Sequence, residues 1–146
     1  MAPPQDTEEA GGAGAEHVTP GNDSHFLTLV VGAAGDRDGP LLRRQLTELH
    51  PVDIADVLRN IPDHARENII SLIGPELPPE FLLELDEEMR EEVLALLPSD
   101  YVGRALGELD TDDAATVAAG VDEDKLGDVL AAAPEDVRIA VESGLS

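Results

Sequence analysis

Apolar residues recur at every twelfth position over most of the chain. Starting at Leu49, the series runs through Ile61, Ile73, Leu85, Leu97, Leu109, Val121 and Ala133 to Leu145. Eight and nine residues after each of these anchors comes an apolar pair, as at Val57 and Leu58, and only Val141 with Glu142 departs from the rule. The pair and the next anchor are spaced i, i+1 and i+4, which places them on one side of an α-helix. The pattern therefore predicts one short helix per repeat.

The residues between the apolar stripes are of the types that begin helices. One to three residues after the anchors stand Pro51, Pro62, Pro75, Pro98 and Pro134, or the acids Asp86, Asp110 and Asp122. Proline suits the first turn of a helix, and aspartate accepts hydrogen bonds from the free N–H groups there. Roughly 8–10 residues remain for each helix, which is too short to be stable without neighbours. A fixed repeat of such units indicates a solenoid in which each helix packs on the next.

Two more helices are predicted ahead of His50, one capped by Ser24 and one beginning at Pro40. The predicted fold class is therefore an all-α, armadillo-like solenoid of about ten short helices. A compact bundle with coincidental spacing is the alternative. Aromatic residues make up only 2 % of the chain, which favours the thin aliphatic seam of a solenoid over one deep core.

The first 22 residues differ in composition from the rest of the chain. They contain Pro, Gly, Ala and acids with almost nothing to bury, which predicts a disordered tail at 1–22 and a helical domain at 23–146. The longest apolar run, at 27–34, is far shorter than the ~20 residues of a membrane-spanning helix. The N-terminal residues also lack the features of a secretory signal. A soluble, cytoplasmic chain is expected.

The charge and the reactive residue types exclude several classes of function. Asp and Glu number 32 against nine Lys and Arg, a net charge of −23, so a nucleic-acid partner is not expected. There is no Cys, and the four histidines show no helical pairing that would suggest zinc. Neither a nucleophile elbow nor a phosphate-binding loop occurs. We therefore predict that the chain is not an enzyme.

Acidic clusters remain as the candidate functional feature, at 85–92, 108–114, 121–125 and 133–137. Each falls in the first turn of a predicted helix, where carboxylates cap N–H groups and meet the positive end of the helix dipole. Stacked helices would also bring such turns to one acidic edge. A divalent cation would bridge that edge to another acidic surface, and Mg²⁺ suits the role because it needs only one or two carboxylates from each side. Composition leaves Ca²⁺ or a basic protein open as alternatives.

Two segments carry a family resemblance. "LTELHPVDIADVL" at 46–58 and "LGELDTDDAATVAAGV" at 106–121 resemble motifs of the cytosolic N-terminal domain of MgtE-type magnesium transporters, and the resemblance covers about residues 24–145. It implies a right-handed superhelix that precedes a pair of CBS domains and a transmembrane pore, in a homodimer at the cytoplasmic side of the bacterial inner membrane. It also implies that Mg²⁺ bound between this domain and the CBS pair holds the pore closed.

The resemblance assigns metal-binding roles to two residues. Glu80 and Asp112 fall where the family places bridging carboxylates, whereas Thr116 stands where the family can have a further acid. An isolated domain would hold half of each bridging site and should bind Mg²⁺ weakly. Asp53 and Asp56 match the opening motif and are interpreted as cap and surface.

A rival function of another class remains. The armadillo-like modules of flagellar rotor switch proteins have similar short helices and acidic surfaces. On that reading the chain is a stand-alone protein-interaction scaffold, and metal is incidental.

Overall fold

The structure is a computed structural model that describes residues 19–145, with side chains as far as Ser143. Between residues 19 and 145 there are nine α-helices and no strands, so the predicted all-α class is confirmed. The α-helices are α1 Ser24–Gly35, α2 Gly39–Leu46, α3 Pro51–Arg59, α4 Asp63–Ile73, α5 Glu87–Leu96, α6 Ser99–Leu106, α7 Thr111–Ala118, α8 Glu123–Ala131 and α9 Glu135–Leu145. Three short 3-10 helices complete the chain, η1 Pro20–Asn22, η2 Gly74–Glu76 and η3 Pro79–Glu84.

The twelve-residue anchors lie in the core. Six of them are buried, namely Ile61, Ile73, Leu85, Leu97, Val121 and Ala133, while Leu49 and Leu109 are half-buried against the same core. The apolar pairs join them, as Val93 and Leu94 do in α5. The repeat therefore marks the inward face of successive helices, because each anchor ends one stripe just before the chain turns.

Several helices pack on the helix after the next one, and α3 also packs on η1. α6 packs on α8, α7 on α9, α2 on α4, and α3 on η3. The crossing of α6 and α8 passes through Gly103, where a Cβ would lie 2.4 Å from the carbonyl oxygen of Val129. A larger residue there would separate the two helices. The right-handed superhelical solenoid remains a prediction, with which this stacking is compatible.

One repeat unit forms a 3-10 helix instead of an α-helix. The apolar pair Phe81 and Leu82 lies in η3 and is fully buried. Pro78 and Pro79 precede the pair and lack N–H donors, and Asp86 already caps the next helix, so few residues remain between them. Counting η3, ten helical units lie between residues 19 and 145 besides η1 and η2, in agreement with the predicted number.

The helix starts follow the prediction with one correction. Asp86, Asp110 and Asp122 occupy the cap positions of α5, α7 and α8. The cap of α1 is Asp23 and not Ser24, because the Asp23 carboxylate accepts hydrogen bonds from the N–H groups of His25 and Phe26. A charged acceptor meets the positive end of the helix better than a hydroxyl group does.

Most of the predicted tail, residues 1–22, lies outside the described residues. Within its last part, η1 packs on α3, and the Gly21 carbonyl accepts a hydrogen bond of 2.8 Å from Asn60 Nδ2. The packed chain therefore includes residues 19–22. None of the helices between residues 19 and 145 has the length and apolarity that a membrane span requires.

Candidate functional site

Glu80 is the second residue of η3 and is exposed. The two residues that follow it, Phe81 and Leu82, are fully buried and fix η3 to the core. The Glu80 carboxylate therefore projects into solvent from a well-anchored stretch of backbone.

Asp112 lies in the first turn of α7 and is also exposed. Ala114 and Val117 on the opposite side of the helix are fully buried. Thr116, one turn further on, donates its hydroxyl hydrogen to the carbonyl oxygen of Asp112 at 3.1 Å. At the position of the family's further acid, this chain thus has a hydroxyl group bound to its own helix.

η3 and α7, which carry Glu80 and Asp112, are in contact. Within residues 19–145, no three His, Asp or Glu side chains are grouped closely enough to hold a metal ion by themselves. Each of the two carboxylates offers one ligand group at the surface. This arrangement fits a bridging role, in which Mg²⁺ takes one or two protein carboxylates from each side and keeps water in its other positions.

Tyr101 of α6 lies beside Glu80. Its hydroxyl group donates a hydrogen bond of 3.3 Å to the Leu77 carbonyl oxygen. Burial, and after it the negative charges of Glu108 and Glu80, raise the pKa of Tyr101 to about 12, against the opposite effect of Arg104. Glu80 and Glu108 therefore both lie near Tyr101, which is in the first turn of α6.

Arg104 in this neighbourhood is already paired. Its guanidinium group donates to the Asp100 carboxylate at 3.1 Å, one turn away on α6. That hydrogen bond holds the pKa of Asp100 below its usual value. Both side chains are well exposed, so the pair stabilises the fold little.

An acid-lined groove is present on the described surface. It lies between α5 and the junction of α7 with α8 and has a volume of about 550 Å³. Glu88, Glu91 and Glu92 line it on the α5 side, and Asp122 lines it on the other. The sequence placed the clusters 85–92 and 121–125 in first turns, which holds for part of each, whereas Glu91 and Glu92 lie one turn further along α5. The sequence did not predict that the two clusters face each other. The acids at 88, 91 and 92 are spaced as one face of a helix, and that spacing was the available signal.

Several basic side chains bind backbone carbonyl groups. Arg66 donates to the Leu58 carbonyl at 2.9 Å, Arg90 to the Leu82 and Leu85 carbonyls at 2.8 Å each, and Arg59 to the Glu84 carbonyl at 3.0 Å. Lys125 does the same at the end of α5. These cations stabilise the carbonyl ends of helices. Part of the positive charge is thus held at helix ends. Of the groove acids, Glu92 is paired with Arg66, whose Nε donates to its carboxylate at 3.1 Å.

Comparison with known proteins identifies the family to which the chain belongs. The sequence profile of the MgtE intracellular N domain matches residues 49–146. The chain belongs to the MgtE intracellular N domain family. The family that the two motifs indicated is thereby confirmed. No curated protein matches the chain.

The fold of this MgtE intracellular N domain is similar to that of a solved structure, the crystal structure of the soluble part of a magnesium transporter. The TM-score is 0.58 at 15 % sequence identity, and the similarity covers 82 % of this chain. The chain spans about half of the other protein's length, 48 %. At this identity the likeness concerns the fold.

Proposed function

We propose that the chain is the regulatory, Mg²⁺-sensing cytosolic domain of a magnesium transporter. It docks on the CBS domain pair of the same transporter through bridging Mg²⁺, and this docking gates the pore. The role is regulatory and involves no catalysis.

Family membership over residues 49–146 is the observation that carries the proposal. The similarity in fold to the soluble part of a magnesium transporter supports it. At the level of residues, Glu80 and Asp112 support it because both are exposed and are carried by elements in contact.

Charge repulsion is the physical basis of the mechanism. With a net charge of −23, the domain repels any acidic surface brought against it. Glu80 and Asp112 would each give one ligand oxygen at the docking surface, and bound Mg²⁺ would supply the positive charge that offsets the repulsion. When the cation concentration falls, the carboxylates face the partner unscreened and the two domains separate.

The test is a Mg²⁺ titration of the association between this domain and the CBS pair of its own transporter, followed by analytical ultracentrifugation. Association should require Mg²⁺. Glu80→Gln and Asp112→Asn should each raise the Mg²⁺ concentration needed for half-maximal association, because each removes one ligand carboxylate.

Glu48→Gln is the matched control, since Glu48 is an exposed acid in the turn between α2 and α3. It changes the net charge equally and should leave the midpoint in place. Association that is just as strong in excess chelator would argue for the protein-interaction scaffold instead. Equal midpoints for all three variants would show that net charge, and not these two residues, controls docking.

A further inference from the structure

The groove between α5 and the α7–α8 junction has like charges on its two sides. Glu88 and Glu91 stand on α5, and Asp122 stands at the start of α8. Glu92 also lines the α5 side, but its charge is offset by Arg66, which donates to it at 3.1 Å. The two walls meet at the floor of the groove, where a Cβ on Gly120 would lie 3.2 Å from Leu94 Cδ1 and 3.6 Å from Glu91 Cγ. Apolar contact at the floor therefore has to hold together walls that repel each other above it.

Lys125 is the only lysine of the chain, and its ammonium group contacts Ala95, a residue that lines this groove. It belongs to α8, one turn after Asp122, yet its ammonium group reaches the carboxyl end of α5. There it donates to the carbonyl oxygens of Leu94 at 2.7 Å and Ala95 at 3.4 Å, and also to that of Leu97. Carbonyl groups in the last turn of a helix have no partner within the helix and carry partial negative charge.

We propose that Lys125 is a latch that holds the groove closed. Its cation, fixed to one wall by the α8 backbone and to the other by the α5 carbonyl groups, joins two surfaces whose carboxylates repel each other. The latch is a conformational device of the domain itself and does not depend on the proposed docking function.

The surroundings of Lys125 support this role. The side chain is half-buried, and burial lowers its pKa, so the ammonium group has exchanged part of its water for the three carbonyl oxygens. In Lys125→Gln the amide group is neutral and ends one atom short of the ammonium position, so it cannot serve the three carbonyl groups together and leaves the repulsion across the groove unopposed. The end of α5 and the start of α8 should then open locally.

Hydrogen–deuterium exchange of the full chain tests the latch. In Lys125→Gln, amide exchange should rise about tenfold or more in residues 91–97 and 119–126 and stay unchanged elsewhere, as expected for the loss of hydrogen bonds to a charged group. Added NaCl should slow this local exchange more in the variant than in the unaltered chain, because salt screens the unlatched walls.

Two further variants serve as controls. Arg44→Gln removes the same charge from an exposed side chain on α2 and should change nothing in these segments. Lys125→Arg keeps a cationic donor and should retain most of the protection. Exchange that is unchanged in Lys125→Gln, or raised evenly over all helices, overturns the proposal.

Should Lys125→Gln fail to fold, Glu91→Gln in the otherwise unaltered chain decides the matter. It removes one repelling carboxylate from the α5 wall and should slow exchange in the same two segments. Unaltered exchange in Glu91→Gln would show that repulsion across the groove is negligible, and the latch would then have nothing to oppose.

Discussion

Gly103→Ala is the substitution for which the structure gives the sharpest expectation. The new Cβ would lie 2.4 Å from the Val129 carbonyl oxygen and 2.6 Å from Ala132 Cβ, so α6 and α8 have to move apart. Overpacking of this kind costs typically ~1–3 kcal/mol, and the upper end applies because backbone cannot yield as a flexible side chain can. Alanine regains about 1 kcal/mol of helix propensity, so the net loss should be about 2 kcal/mol.

Thermal unfolding followed by far-ultraviolet circular dichroism measures the effect. For a domain of this size, about 2 kcal/mol corresponds to a fall in Tm of roughly 6–10 °C. Gly127→Ala is the matched control, because Gly127 is exposed in the middle of α8 with nothing within 4 Å of its Cβ position. That variant should gain about 0.5–1 kcal/mol. If both variants shift Tm in the same direction, the close crossing at Gly103 does not limit the packing of α6 on α8.

Three more predictions follow from particular contacts. Tyr101, the only tyrosine, should titrate near pH 12 when its absorbance is followed, and Glu80→Gln should lower that midpoint. Because the folded state keeps the phenol protonated, the stability of the fold should decrease as the pH rises from about 10 to 12. A titration midpoint near pH 10 would contradict this burial of Tyr101. Asp38→Ala should cost about 1 kcal/mol in urea unfolding because its carboxylate accepts a bond from the N–H of Leu41, whereas Asp110→Ala, at a cap without such a bond, should cost clearly less. Arg66→Gln should cost about 2–3 kcal/mol in the same assay, because the buried guanidinium group satisfies a buried carbonyl; a loss below about 0.5 kcal/mol would refute this.

The fold was largely predictable because its information is local and repeated. Each anchor, such as Ile61 or Leu97, marks the end of the buried side of one helix, as the other anchors do. A proline or aspartate after it begins the next helix. The exceptions are also local in cause. The Phe81 unit became a 3-10 helix because two prolines precede it, and Asp23 displaced Ser24 as a cap because a carboxylate was available one residue earlier.

The candidate site was less accessible to sequence reasoning. Glu80 and Asp112 were assigned by resemblance alone, since nothing in their spacing distinguishes them from acids that cap or solvate a helix. The groove depends on how α5 stacks against the α7–α8 junction, which is a tertiary contact. Likewise, the hydrogen bond from Lys125 to the Leu94 carbonyl joins residues 31 positions apart, so no local sequence pattern predicts it.

The binding of basic side chains to helix ends has a consequence for how this domain tolerates change. Each of three basic residues, Arg66, Arg90 and Lys125, donates to a specific carbonyl group on another segment of the chain. Replacing one of them therefore removes a hydrogen bond that holds two segments together. Most acids only have to point outward, and one can be exchanged for another without disturbing any neighbour. Among relatives, substitutions should therefore accumulate faster at Asp and Glu positions than at Arg and Lys positions. The positions of the many acids should vary, whereas the few basic residues should stay at the same positions.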